Sequence, residues 1–324
     1  MSDKKIIAVI GATGAQGGGL ARAILDDPNG PFTLRAITRD VNSRAASALA
    51  DRGAEVVAAD LDDEASIRAA FTGAYGAFVV TNFWAPLTPE QEAARNRARM
   101  ELDQAATAAR AAAATGLRHL VWSTLEDTRP HFAHLGADVP TLLDRYKVPH
   151  FDAKGEANHF FADAKVPTTF LETTMFYEAL LKSNGQGPAR NADGQLVLSM
   201  PMGEKTLAMV AAEDIGRTAY GIFKAGARYV GRTVGLAGAH VSGPRLAELL
   251  SDVLGEPVVY QPVTPDQIRA SGGPATVEIA NMYQFYADAG DSFLTARDPE
   301  VARTINPALR SLPDWLREHK GDIL

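Results

Sequence analysis

The chain of 324 residues contains no cysteine. Disulfides, thiolate nucleophiles and sulfur-ligated zinc are therefore excluded together, and any redox response must run through a bound cofactor. Long apolar runs are also missing. The stretch "AATAARAAAATG" is too short to cross a bilayer and is interrupted by Arg110, so no membrane partner is expected. The N-terminus, MSDKK leading into a short strand, lacks the apolar region and cleavage site of a secretory signal, and a cytoplasmic location is expected. No Lys/Arg run is present and the net charge is −7, which argues against direct nucleic-acid contact. A G-x-S-x-G elbow is absent, removing one route to serine hydrolysis. His131-Phe-Ala-His134 has a metal-like spacing but no clear third ligand, so no metal site is expected.

What is present is an alternation. Apolar runs at Ile6–Ile10, Thr33–Thr38, Ala54–Ala59, Ala77–Thr81, Leu120–Ser123 and Thr168–Glu172 are separated by helical patterns near 16–26, 43–52, 64–71, 90–115 and 152–165. Strands alternating with helices predict parallel pairing with right-handed crossovers, an α/β doubly wound sheet of Rossmann type. The regularity lapses at 126–149, rich in Pro, His and Asp, which reads as a flap on the substrate side of the sheet. Residues 1–177 are expected to form the dinucleotide-binding domain and 178–324 a smaller lobe over its carboxyl edge. In that lobe "QLVLSM" and "TLAMVAAED" read as strands, Glu213–Ala225 and Gly243–Leu254 as helices. The chain closes on an amphipathic helix that docks Trp315 and Leu316, and the aromatics at 283, 285 and 286 read as packing beside a pocket.

Glycines at 11, 14, 17, 18 and 19 lie between the first strand and the first helix. The spacing suits a tight turn at Gly11, close approach of a pyrophosphate at Gly14 and helix–strand packing at Gly17. Free N–H groups and the helix dipole then hold the anion, so Gly11, Thr13, Gly14, Ala15, Gln16 and Gly17 are the candidate cradle. The second strand ends in Arg39-Asp40, with Arg44 beyond it. Arginine suits the 2′-phosphate of NADP, whereas an acidic residue suits the ribose hydroxyls of NAD. NADP is expected, and Asp40 keeps NAD open. Asp60 and Asp62, around Leu61, end the third strand and can meet the adenine edge or cap a helix. Thr81, Asn82 and Phe83 follow the fourth strand along the cofactor's path, and Ser123 ends the fifth.

Reduction of a carbonyl needs a proton donor. In short-chain dehydrogenases this is a tyrosine followed four residues later by lysine, with a serine on the fifth strand. Here Ser123 matches the serine, and His150-Phe-Asp-Ala-Lys154 stands where tyrosine and lysine are expected. Lys154 is kept and the tyrosine is absent; His150, one turn away on the same helix face, is the alternative donor. A literal Tyr-x-x-x-Lys at Tyr220–Lys224 lies far downstream and is read as coincidence.

"GATGAQGG", "GAEVVAADLDD", "GAYGAFVVTNFW", "VPHFDAKGE" and "WLREHKGD" together resemble the NmrA-like family of atypical short-chain dehydrogenase/reductases, including its human-type redox sensors. The resemblance implies a Rossmann domain with a mainly helical C-terminal lobe. It also implies cofactor contacts at Gly11 to Gly17, Arg39, Asp60, Leu61, Thr81, Asn82 and Lys154, with a further segment at Phe176, Tyr177 and Glu178. The family's "FEN" reads Tyr177-Glu178-Ala179 here, which loses an amide. Many members lack the catalytic tyrosine and act as regulators through a protein partner, while related enzymes reduce quinones and similar compounds with a lysine. The first expectation is accordingly an NADP(H)-responsive redox sensor or regulator. The alternative is an NAD(P)H-dependent oxidoreductase of a small carbonyl, quinone or enone using Lys154.

Overall fold

The computed structural model describes residues 4–324. Its main sheet is built from β1 (Lys5–Ile10), β2 (Phe32–Thr38), β3 (Glu55–Ala58), β4 (Gly76–Val79), β5 (His119–Thr124) and β6 (Thr168–Glu172). Later in the chain come β7 (Met175–Phe176), β8 (Ala189–Arg190), β9 (Leu196–Met200), β10 (Thr206–Val210), β11 (Thr233–Gly235), β12 (Ala239–Ser242) and β13 (Val258–Pro262). Strand β11 returns to the main sheet, giving seven strands in the order β11-β6-β5-β4-β1-β2-β3. Every pairing in that sheet is parallel. The chain leaves β1 toward β2 on one side and crosses to β4 on the other, which opens a crevice at the carboxyl ends between them.

Both faces are covered, as a parallel sheet requires. On one face lie α1 (Ala15–Leu25) and α2 (Arg44–Asp51); on the other, α3 (Glu64–Phe71), a short α4 (Pro89–Ala94) leading into α5 (Arg97–Thr115), and, after α6 (Arg129–Leu135), α7 (Pro149–Asp163). Helix α8 (Ala212–Lys224) joins α1 on the first face. The two meet backbone to backbone: a Cβ on Gly19 would stand 2.0 Å from the Glu213 carbonyl oxygen, and one on Gly216 2.2 Å from the Gln16 oxygen. Gly19 thus serves helix packing rather than phosphate binding.

Three features differ from the sequence reading. The expected helix at 90–115 breaks at Arg95-Asn96, because the Asn96 side chain accepts the Arg99 N–H at 2.9 Å and starts α5 afresh. Strand β4 stops at Val79, freeing Thr81 to turn out of the sheet. The segment 126–149 is organised: it holds α6 and a small hairpin closed by Leu142 and Tyr146. The lobe adds two three-stranded sheets, β12-β10-β7 and β13-β9-β8, to α9 (Gly243–Leu254), α10 (Pro265–Ala270), α11 (Pro274–Ala296), α12 (Pro299–Ile305), α13 (Leu312–Glu318) and α14 (Lys320–Ile323). Its core collects Trp315 and Leu316 with Tyr283, Phe285 and Tyr286 of α11. No helix among the described residues is long and apolar enough to cross a membrane.

Candidate functional site

The glycine turn is shaped to receive an anion. Gly11 has φ +67° and its carbonyl accepts the Gly14 N–H at 2.8 Å, closing the turn. No side chain caps α1, so its first N–H groups are left to a ligand, with Thr13, Gly14 and Ala15 exposed. A Cβ on Gly17 would stand 2.4 Å from the Gly11 oxygen, so only glycine lets the helix sit this close to the turn. Gln16 and Ser123 are joined: the Ser123 hydroxyl donates to Gln16 Oε1 at 2.6 Å, tying the turn to the end of β5.

Beyond the ends of β2 and β3 the acidic residues are occupied locally. Asp40 accepts the Asn42 N–H at 2.9 Å in a turn, and Asp60 accepts that of Asp62 at 3.0 Å. Asp62 holds Arg95 through both oxygens, at 2.9 and 3.0 Å, and that guanidinium keeps its carboxyl below the usual carboxylate range. The cap of α3 is Asp63, rather than Asp60 or Asp62. Leu61 packs on the sheet's second face. Arg39 and Arg44 are exposed and have no side-chain partner among the described residues, so both can turn to a phosphate.

Lys154 stands at the centre. Its ammonium donates to Glu101 Oε1 at 2.5 Å, to Thr81 Oγ1 at 2.6 Å and to the Thr81 carbonyl at 3.2 Å. Thr81 in turn hydrogen-bonds Glu101. All three ammonium protons are thereby engaged. A further acceptor can be taken only by releasing one, and the bond to the Thr81 carbonyl is the longest of the three. Glu101 is completely buried, and its second oxygen has no partner among the described residues. On α5 it shares the buried stripe of Ala98, Leu102, Ala105 and Ala109, a charge set among apolar side chains.

One turn before Lys154, His150 Nδ1 lies 2.6 Å from Glu278 Oε1, and the same oxygen accepts the His150 backbone N–H at 2.8 Å. This leaves Nε2 as the ring atom for an incoming group. His150 packs behind Phe83 and Trp84, at ring separations of 5.9 and 5.3 Å. Asn82 fixes that corner, its side chain accepting the Trp84 N–H at 3.2 Å. Phe83, Trp84 and Glu278, which His150 touches, line a cleft of about 500 Å³ together with residues 141–144 of the hairpin and Pro274 and Ala275 of α11.

The stretch 148–156 explains itself residue by residue. Buried Asp152 clasps both ends of the segment 126–149: it accepts from the Thr128 N–H and hydroxyl at 2.8 and 2.7 Å, and from the N–H groups of Lys147 and Val148 at 2.7 and 3.0 Å. Burial raises its pKa all the same. A Cβ on Gly155 would stand 2.4 Å from the Asp127 nitrogen, and Glu156 pairs with Arg129 and Arg145. Asp152, Glu101 and Glu278 were all missed in the sequence, since their partners are fixed only by tertiary structure.

The segment after β6 goes elsewhere. Tyr177 is completely buried against Trp315 in the lobe core, and Glu178 caps α8 by accepting the Ala212 N–H at 3.0 Å, with burial raising its pKa. Those two side chains therefore belong to the lobe rather than to the cradle, while Phe176 is half-buried on the α1–α8 face. Tyr220 donates to Asp27 at 2.6 Å and Lys224 pairs with the same carboxylate, far from Lys154 in the fold. His131 packs edge-on to Phe285, and no group of metal-binding side chains occurs among the described residues.

With this geometry in hand, comparison with known proteins gives a consistent answer. The sequence model of the NmrA-like family matches residues 3–316. The NmrA-like family domain-containing oxidoreductase FrzB of a Cladobotryum species is 30% identical over 309 residues, spanning 92% of this chain and 88% of that protein. The negative transcriptional regulator NmrA, solved in complex with NAD, superposes with TM-score 0.73 at 20% identity over 97% of this chain and 95% of that one. The Citrobacter sp. triphenylmethane reductase complexed with NADP(H) gives 0.71 at 19% identity, over 97% and 99%. At such identities the last two likenesses speak for the fold.

Proposed function

This chain belongs to the NmrA-like family, and on that premise we propose that it is a nicotinamide-dinucleotide-dependent reductase, with NADP(H) preferred. The observation that carries the reading is the pair Lys154 and His150, one turn apart on α7, each held by a buried carboxylate, with His150 packed against Phe83, Trp84 and Glu278, which line an aromatic-walled cleft. Glu278, which lines the cleft, meets both the ring and the backbone N–H of His150, an arrangement that dinucleotide binding alone does not call for. The glycine cradle, open at the α1 N-terminus and closed to any side chain at Gly17, fits the pyrophosphate. Arg39, with Asp40 engaged in its own turn, fits the 2′-phosphate.

When bound, a reduced nicotinamide supplies the hydride. Lys154 would hold the ribose of that group, with Glu101 and Thr81 fixing where the ammonium points. Ser123 holds the glycine turn through Gln16 and does not stand free as a donor. A neutral carbonyl, quinone or enone then needs one proton at oxygen as its carbon takes the hydride. His150 Nε2 delivers that proton and is recharged from solvent, while Glu278 holds Nδ1–H and stabilises the imidazolium.

The test is absorbance of the reduced nicotinamide band as the protein is mixed with NADPH and a panel of quinones, aldehydes and enones. Turnover is expected, abolished by Lys154→Ala and lowered at least 100-fold by His150→Gln on neutral carbonyls. NADPH should bind roughly tenfold more weakly to Arg39→Ala, with NADH unchanged. A second reading, the cofactor-responsive regulator, draws on the Ser123–Gln16 bond, which couples the phosphate turn to β5. Tight NADPH binding without turnover, together with altered protease cleavage in 126–149, would favour it over the reductase.

A further inference from the structure

Building on the reductase reading, we infer that the cleft selects flat aromatic substrates that carry a positive charge. The walls decide the first half. Phe83, Trp84, Leu142, Leu143 and Pro274 give the cleft apolar and aromatic sides. Trp84 is the exposed tryptophan of the chain, 46% accessible, whereas Trp122 and Trp315 are buried. It is nonetheless fixed in place, edge-on to Phe83 at 5.1 Å and tilted against His150 at 5.3 Å. A large indole left half in water at the mouth of a cavity is a stacking platform, and its π-face attracts cations.

The charges decide the second half. Glu92 is neutralised by Arg97 at 3.2 Å, and Glu278 by His150 once the imidazole is protonated. Asp144 has no partner among the described residues. Its neighbour Arg145 is turned away, to Glu156 at 2.6 Å and to the Tyr146 hydroxyl at 2.7 Å. The lining, with three carboxylates to one arginine, is therefore net negative, and Asp144 is the carboxylate without a partner. The chain also works to hold it there: Leu143 and Asp144, at φ 45° and 69°, are successive non-glycine residues in the left-handed region. They are kept so by the Leu142–Tyr146 backbone bonds of 2.7 and 2.9 Å and by Lys147, which donates to the Val139 carbonyl at 2.5 Å and to Thr141 at 2.9 Å. An anionic substrate meets repulsion at this lip, and a neutral aromatic gains nothing from Asp144.

Two probes of the same shape separate charge from size: 4-(trimethylammonio)benzaldehyde and 4-tert-butylbenzaldehyde. Calorimetric titration of the full chain should show the cation binding roughly tenfold more tightly at low salt, a cation–π contact and an exposed charge pair each giving a few-fold. The preference should shrink in 0.5 M salt. Asp144→Asn, which suits the left-handed conformation, should remove most of it, and Trp84→Leu should weaken both ligands. Equal affinity for the two probes, or a preference that survives Asp144→Asn, overturns the inference while leaving the reductase reading intact if both are turned over. Preferential binding without turnover supports the cation site and counts against the reductase. If neither probe binds, the inference is overturned; if in addition no quinone, aldehyde or enone of the panel is turned over, the reductase reading falls with it.

Discussion

Lys154 and Glu101 show how much of the site rests on single side chains. Glu101 is fully buried on α5 and meets the ammonium at 2.5 Å, 53 residues away in the chain. Removing one partner of such a pair leaves an uncompensated charge in the interior, whereas replacing both by apolar residues of similar size is close to neutral. Glu101→Leu alone should therefore lower stability by about 3 kcal/mol, and Lys154→Met alone by a comparable amount. The double substitution should recover most of the loss yet bind the dinucleotide no better than Lys154→Met. Denaturant unfolding of the three variants checks this; strict additivity would show that the pair is not coupled. Lys154 was legible because it is read against a local pattern, four residues after His150. Glu101 was not, because an acidic residue in a helix is ordinary until the opposite face is known to be solvent-free. Tyr177 and Glu178, adjacent to the end of β6, read from sequence as site residues, and in the fold their side chains meet Trp315 and the start of α8.

Three elements were readable to the residue. Strand β6 and helices α3 and α9 match their expected limits, since Asp63 and Ser242 cap those helices and Gly255, at φ 79°, closes α9. The segment 126–149 has no such local logic. Its order comes from one buried carboxylate, Asp152, which gathers Thr128 from its start and Lys147 and Val148 from its end. Asn281 of α11 adds a second clasp, its amide donating to the Pro140 and Lys147 carbonyls at 3.0 and 2.7 Å. Asp152→Asn keeps one acceptor oxygen but turns an NH2 group toward N–H donors. The expected loss is about 2–4 kcal/mol, with new protease cleavage between residues 129 and 147 as the local signature. Unchanged stability with intact protection there would mean that Asn281 and the Arg129–Glu156 pair hold the segment without it.

At the scale of the whole molecule, the lobe is fastened to the sheet by Arg297 at the end of α11. This fully buried guanidinium lies 3.8 Å over the Phe293 ring, donates to the Thr173 carbonyl at 3.0 Å, and faces Glu126 at 2.6 Å and Glu172 at 3.6 Å, just past β5 and at the end of β6. His240 meets the same residue through its backbone carbonyl at 2.9 Å. Burial, reinforced by the charge of Glu126 and opposed by Arg297, pushes Glu172 up to about 7. Because the folded value lies above the ordinary 4.5, the protonated form is favoured by folding. The stability it brings is complete below about pH 4.5 and is lost as pH rises toward 7. Buried Asp152, Glu178 and Asp214 are raised in the same sense. His119 acts oppositely: burial lowers it to about 4, so its contribution is present above 6.5 and is lost as pH falls. The melting temperature should therefore peak in the mildly acidic range and fall by pH 8. Glu172→Gln, which keeps the Glu126–Arg297 pair and removes the titrating carboxyl, should flatten the alkaline side by a few degrees, since about 1.4 kcal/mol accompanies each unit of pKa difference. Melting curves of the two proteins at pH 5.5, 6.5 and 8 that fall in parallel would place the coupling between lobe and sheet somewhere other than this carboxylate.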